Sequence, residues 1–183
     1  MKIRFESPAL PKSGIFITFV AEGGKLSGLA AKADAAADGH VSRAMKAAKF
    51  EGKRDQMLDI LAPAGTHFER IAVFGIGDPA KLTAREVEYL GGTIAGALQG
   101  MKAKETTIAA DLPAGVKLKA GQAPALLASG VRLRTYGFLK YKTKKAEENS
   151  GVSSLTVLTS DAAAAKQFFA DLDAVAAGVH MAR

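Results

Sequence analysis

Three histidines are the residues whose side chains could most readily hold a metal ion or move a proton: His40, His67 and His180. They lie far apart along the chain, and none belongs to an H-x-x-x-H or H-E-x-x-H spacing, which would place two ligands on one helix face. A metal site would therefore need carboxylates from several distant segments. We interpret the histidines as surface or loop residues, and predict neither a metal-ligating nor a catalytic residue.

Cysteine is absent, which excludes thiolate zinc sites, disulfide bonds and a cysteine nucleophile. No Gly-x-Ser-x-Gly elbow is present to expose a serine nucleophile. Glu147 and Glu148 are paired carboxylates, but the polar, turn-like sequence around them favours a solvated surface over acid–base catalysis.

Gly75 and Gly77 follow a strongly apolar run and could begin a turn whose amides bind phosphate, because glycine lets a backbone approach a ligand closely. The third glycine of G-x-G-x-x-G is replaced by Ala80, and no G-K-[ST] sequence occurs. A plain strand-to-helix turn is the favoured interpretation, with small-ligand binding as the alternative.

Residues 132–145, RLRTYGFLKYKTKK, combine six cations with interleaved aromatic residues and no acid. Cations pair with phosphates and aromatic rings stack on bases, so this segment supports a nucleic-acid-binding hypothesis. The alternative is a solvated basic loop, or one that contacts acidic groups of another domain or subunit. The candidate contact residues are Arg132, Arg134, Tyr136, Lys140, Tyr141, Lys142, Lys144 and Lys145.

Composition narrows the class of protein that must position these residues. The 183 residues are 48% hydrophobic and 23% charged, which is enough for one folded core and excludes a disordered polyelectrolyte. No apolar run reaches the ~20 residues of a bilayer crossing, and the N-terminal sequence MKIRFESPAL lacks the apolar core of a signal peptide. We expect a cytoplasmic protein without membrane contact.

Hydrophobic periodicity predicts strands alternating with helices. The predicted strands are residues 2–6, 14–20, 56–61, 71–76, 106–110 and 154–159. Residues 71–76 are apolar on both faces, as in a central strand covered by helices on either side. Helices are predicted near residues 26–37, 83–100, 120–131 and from 161 onward, with one or two further helical turns over 41–49. This alternation predicts a three-layer α-β-α sandwich with a mostly parallel or mixed sheet.

Two of the predicted helices carry specific signals. Thr83 and Glu86 form a capping box at the start of one. The last helix repeats large apolar residues at helical spacing, which predicts an apolar stripe whose turns beyond about residue 174 lose part of their burial in the 183 residues alone. That stripe consists of Phe168, Leu172, Val175 and Val179.

Several segments together resemble the N-terminal domain of the cytosolic leucyl aminopeptidases, in order and over the whole chain. They are residues 42–43 (SR), 50–53 (FEGK), 71–77 (IAVFGIG), 132–136 (RLRTY) with Phe138, 140–144 (KYKTK) and 178–183 (GVHMAR). The resemblance implies a macro-domain-like sheet between helices over residues 1–160. It also implies that residues 161–183 form a helix leading into a C-terminal catalytic domain.

The resemblance also implies the activity of the full-length parent. Enzymes of this family remove N-terminal residues from peptides with two divalent ions, manganese or zinc, that activate water and polarise the carbonyl. Their ligands and catalytic residues belong to the C-terminal domain, so the 183 residues alone are expected to be inactive and to bind no cofactor. The implied partners are that catalytic domain and the other subunits of a homo-hexamer. Macro-domain similarity adds an ADP-ribose-like ligand as a further alternative.

Overall fold

The computed structural model describes residues 1–135 and 152–182, and their backbone forms one mixed α/β sheet with helices on both faces. The strands are β1 (Lys2–Glu6), β2 (Gly14–Ala21), β3 (Met57–Leu61), β4 (Phe68–Gly77), β5 (Glu105–Ala109) and β6 (Ser154–Leu158). The helices are α1 (Gly28–Ala36), α2 (His40–Ala47), α3 (Ala84–Gly100), α4 (Gln122–Arg134) and α5 (Ala162–Met181), with a 3-10 turn at Pro79–Lys81.

The sheet has the order β1-β6-β5-β2-β4-β3. Every neighbouring pair is parallel except β3 and β4, which run antiparallel. The predicted three-layer sandwich with a mixed sheet is confirmed, and each predicted strand is present within a few residues of its expected ends. The stretch between β2 and β3 holds two separate helices, α1 and α2.

Alternating side chains of β2 divide the core into two halves. Ile15 and Ile17 point to the face covered by α3, α4 and α5, which we call the α3 face. Phe16 and Val20 point to the opposite face, where they pack with α1 and α2. All seven residues from 71 to 77 are buried, so the prediction that β4 is covered on both sides is confirmed.

Helix α3 begins at the predicted capping box. The Glu86 amide donates to the Thr83 hydroxyl, and the Thr83 amide donates to the Glu86 carboxylate at 2.7 Å. Two of the otherwise unpaired amides at the helix start are thereby satisfied, which fixes where α3 begins.

Helix α5 packs on α4 and β1 through a face that includes Leu172 of the predicted stripe. Its buried positions are Ala165 and Ala176, with Phe169 and Leu172 packed against the core. Phe168 is 38% exposed, so the stripe is less buried there than expected, whereas the 63% exposure of Val175 agrees with the expected loss of burial beyond about residue 174. Alanines let α5 approach α4 closely, and the large apolar residues of the stripe therefore marked the buried face only in part.

Candidate functional site

The basic segment begins at the end of α4, where the structure describes two of its eight candidate residues. Arg132 donates from Nε to the Asp173 carboxylate of α5 at 2.9 Å, so its charge joins two helices of the same domain. Arg134 is exposed and lines a groove between α3 and α4. The other six candidates, Tyr136, Lys140, Tyr141, Lys142, Lys144 and Lys145, lie outside the described residues. Nucleic-acid or interdomain contact by this segment stays a prediction.

The three histidines do not converge. His40 is the first residue of α2, His67 precedes β4, and His180 lies in the last turn of α5. In residues 1–135 and 152–182, no three His, Cys, Asp or Glu side chains are grouped so that they could hold a metal ion. The described residues therefore do not fit a two-metal centre, and no step of a metal-assisted reaction can be assigned to them.

The glycines at the end of β4 use their amides within the fold. The Gly75 amide donates to the Gln56 carbonyl at 2.8 Å, and the Gly77 amide donates to the Gly52 carbonyl at 2.9 Å. Amides bonded in this way are not available to a phosphate, which favours the strand-to-helix turn. Binding of a small ligand elsewhere on the domain stays a prediction.

A segment between α2 and β3 crosses the carboxyl ends of β2 and β4, and it contains the FEGK sequence at residues 50–53. Gly52 has φ +72°, and a Cβ placed on it would lie 2.1 Å from the Ala21 carbonyl oxygen. A Cβ on Gly75 would lie 2.1 Å from the Lys53 carbonyl oxygen. The segment thus rests directly on the strand backbones, and its glycines are explained by packing.

An open cleft of about 820 Å³ lies beside this crossing, between the end of β2 and helices α1 and α2. Two of its six charged side chains, Glu51 and Lys53, form an ion pair. The Lys53 ammonium hydrogen-bonds to Glu51, which lowers the pKa of that carboxyl and raises the pKa of the lysine. Asp34 accepts hydrogen bonds from the amide and hydroxyl of Ser42, and so joins α1 to α2. In this cleft Glu51, Lys53 and Asp34 thus serve contacts within the fold.

The start of α3 is tied to the same crossing by an ion pair. Arg54 Nη1 lies 2.7 Å from the Glu86 carboxylate, which also accepts from the amide and hydroxyl of Thr83. These donors, Arg54 foremost and then Thr83, lower the pKa of Glu86 from its ordinary 4.5 to about 2.

This depressed pKa predicts acid sensitivity. Because the folded-state pKa lies below the unfolded one, the stabilisation is fully present above pH about 4.5 and is lost as the pH falls toward 2. The free energy of unfolding of the native chain should therefore decline over this window more steeply than that of Glu86→Gln, whose amide does not titrate. Urea unfolding at several pH values measures both slopes, and equal slopes would contradict the assignment.

Within residues 1–135 and 152–182, no helix combines the length and apolar character that a bilayer crossing requires.

Known proteins match this chain over the strands and helices described above. The model of the cytosol aminopeptidase family, N-terminal domain, matches residues 15–145. A probable cytosol aminopeptidase of Rhodopseudomonas palustris (strain ATCC BAA-98 / CGA009) is 40% identical over 185 aligned residues, covering 100% of this chain and 36% of the relative. A probable cytosol aminopeptidase of Chelativorans sp. (strain BNC1) is also 40% identical, covering 99% of this chain and 36% of its own length. The chain thus spans about a third of the length of these curated relatives.

Solved structures show the same fold. A tomato leucine aminopeptidase mutant superposes with a TM-score of 0.78 and 21% identity, over 98% of this chain and 36% of that chain. The bottromycin maturation enzyme BotP in complex with Mn gives a TM-score of 0.63 at 14% identity, over 89% of this chain and 30% of that chain.

Proposed function

Because the chain belongs to the cytosol aminopeptidase family and matches its N-terminal domain, we propose that these 183 residues are a non-catalytic domain of a metal-dependent exopeptidase. The proposal rests on how much of each relative's length this chain covers. Relatives match over the whole of this chain but over only 36% of their own length. The catalytic residues of the whole protein then belong to the part of its length that corresponds to the remainder of the relatives.

The whole protein would release N-terminal amino acids from peptides in the cytosol. The names of the relatives support this activity and location, and the BotP structure in complex with Mn supports a divalent metal. Two ions, manganese or zinc, would supply the attacking hydroxide and polarise the scissile carbonyl. The described residues of this domain offer no ligand set for them.

The domain itself would support assembly of a homo-hexamer and shape access to its active sites. The exposed side of α5 supports this role, because Phe168 and Val175 present apolar surface on the helix that ends the described chain. Apolar side chains left exposed along one helix suit contact with another domain or subunit.

The proposal is tested on the whole protein. It should hydrolyse leucine amide, lose that activity when a chelator removes the metal, and regain it with Mn²⁺. Light scattering should give the mass of a hexamer. After deletion of residues 1–160, the measured mass divided by the mass of the shortened subunit should give fewer than six subunits. Metal-independent turnover, or a hexamer unaffected by the deletion, would contradict the corresponding part of the proposal.

A further inference from the structure

The two edge strands of the sheet are protected to different degrees. The edge strand β1 exposes the charged residues Lys2, Arg4 and Glu6, which discourage pairing with another strand. The other edge strand, β3, exposes Met57 at 43% and Leu61 at 60%. Its one charged residue, Asp59, is paired with Arg70 of β4. The β3 edge therefore carries one charged side chain where the β1 edge carries three, of which Arg4 and Glu6 are paired with each other.

The hydrogen-bonding groups of β3 follow from its antiparallel register with β4. Ala62 donates to the Glu69 carbonyl at one end, and the Gln56 carbonyl accepts from Gly75 at the other. Because hydrogen-bonded pairs alternate along such a ladder, Leu58 and Ile60 also direct their N–H and C=O groups toward β4. Those of Met57, Asp59 and Leu61 point outward. No strand of the described chain lies beyond β3 to pair with them.

A groove of about 450 Å³, lined by apolar side chains together with Arg54, Asp55, Arg85 and Glu86, continues from this edge along the α3 face. Met57 and Phe74 line its sheet side, and Leu90 and Tyr89 line its α3 side. Tyr89 is 73% exposed. Tyrosine and methionine are enriched at protein–protein interfaces, so these side chains suit the groove to contact with another protein chain. The groove and the strand edge form one continuous surface, because Met57 belongs to both.

We propose that this surface binds a second copy of the chain by antiparallel pairing of β3 with β3. A twofold axis at Asp59 places Met57 opposite Leu61 of the other copy, so that each exposed apolar side chain faces another. The outward N–H and C=O groups of Met57, Asp59 and Leu61 then bond to their counterparts. The two Asp59 carboxylates that meet at the axis are each neutralised by their own Arg70.

Among the described helices, α2 contacts β3 on the face of Leu58 and Ile60, opposite to the face of Met57 and Leu61. Helix α5 packs on α4 and β1, at the opposite edge of the sheet from β3. A second copy suits this edge better than an unrelated strand, because Met57–Leu61 can pair with itself. Met57 of each copy then faces Leu61 of the other, and each Asp59 keeps its own Arg70 as partner. The inference is independent of aminopeptidase activity.

Sedimentation velocity over a range of concentrations tests the inference on the 183-residue chain. A monomer–dimer equilibrium is expected, and Leu61→Lys should weaken it by about tenfold or more, because each copy then places a lysine ammonium against Met57 of the other. Met181→Lys is the control, since it adds the same charge at an exposed apolar position on α5, at the opposite edge of the sheet from β3 and outside the Phe168–Val175 surface, and should leave the dimer intact.

Amide hydrogen exchange locates the contact. In the dimer the amides of Met57, Asp59 and Leu61 should exchange slowly, and in Leu61→Lys they should exchange rapidly. The amides of Leu58 and Ile60 should stay protected in both proteins, which shows that β3 remains folded. A native chain that is monomeric at every concentration, or a dimer that Leu61→Lys does not weaken, overturns the proposal.

Discussion

Gly130→Ala is expected to destabilise the domain by about 3 kcal/mol or more, near or above the upper end of ordinary overpacking. A Cβ at Gly130 of α4 would lie 1.9 Å from the Glu88 carbonyl oxygen and 2.8 Å from the Gly92 amide nitrogen, both in α3. Gly91 is the reciprocal contact, 2.2 Å from the Leu127 carbonyl oxygen. Since the obstacles are backbone atoms, relief requires moving one helix away from the other.

Gly96→Ala is the matched control on α3. No atom lies within 4 Å of the position its Cβ would take. Alanine there should stabilise the helix by roughly 0.5–1 kcal/mol, because glycine loses more backbone freedom on folding. Urea unfolding of the native chain and both variants measures the difference, and similar midpoints for Gly130→Ala and Gly96→Ala would refute the close crossing of α3 and α4.

Gly52→Ala should be similarly damaging, at about 3 kcal/mol or more, because a clash and an unfavourable backbone conformation act together. The Cβ would lie 2.1 Å from the Ala21 carbonyl oxygen, at a residue with φ +72°. The crossing segment would then lift from the strands beneath it. Its hydrogen bond from the Gly77 amide to the Gly52 carbonyl would be strained as well.

Gly23→Ala separates the two causes. Gly23 has φ +100° but no atom within 4 Å of its Cβ position, so the variant suffers the backbone cost of about 1–2 kcal/mol alone. The free energy of unfolding should therefore fall further in Gly52→Ala than in Gly23→Ala. If thermal and urea unfolding give equal losses, the contact between the crossing segment and β2 does not carry the effect.

Local patterns in the sequence predicted the elements well. The capping box at Thr83 and the apolar run of β4 each depend on residues close together in the chain, so their spacing alone identifies them. Alternation of strands and helices then restricted the architecture to a three-layer sandwich.

Contacts between distant segments could not be predicted in this way. Gly91 of α3 contacts the backbone of α4, and no local pattern marks Gly130 as the reciprocal contact. Likewise the sequence shows the charge of Arg132 but not its partner Asp173, which lies 41 residues away on α5. Large apolar residues identified the buried face of α5 only in part, because small residues such as Ala165 occupy much of it.

Some of the cations behind the net charge of +7 are paired within the domain. Six cations lie in residues 132–145, and the first of them, Arg132, already has a partner within the domain. Charge composition alone therefore overstates how many of these cations are available to an external partner.

Turnover of leucine amide by the purified 183-residue chain in the presence of Mn²⁺ tests most directly whether this domain is non-catalytic. No hydrolysis above the uncatalysed rate is expected at any metal concentration, since residues 1–135 and 152–182 bring together no ligand set. The whole protein, assayed in parallel, is the positive control. Metal-dependent release of leucine by the 183-residue chain alone would show that this domain is catalytic.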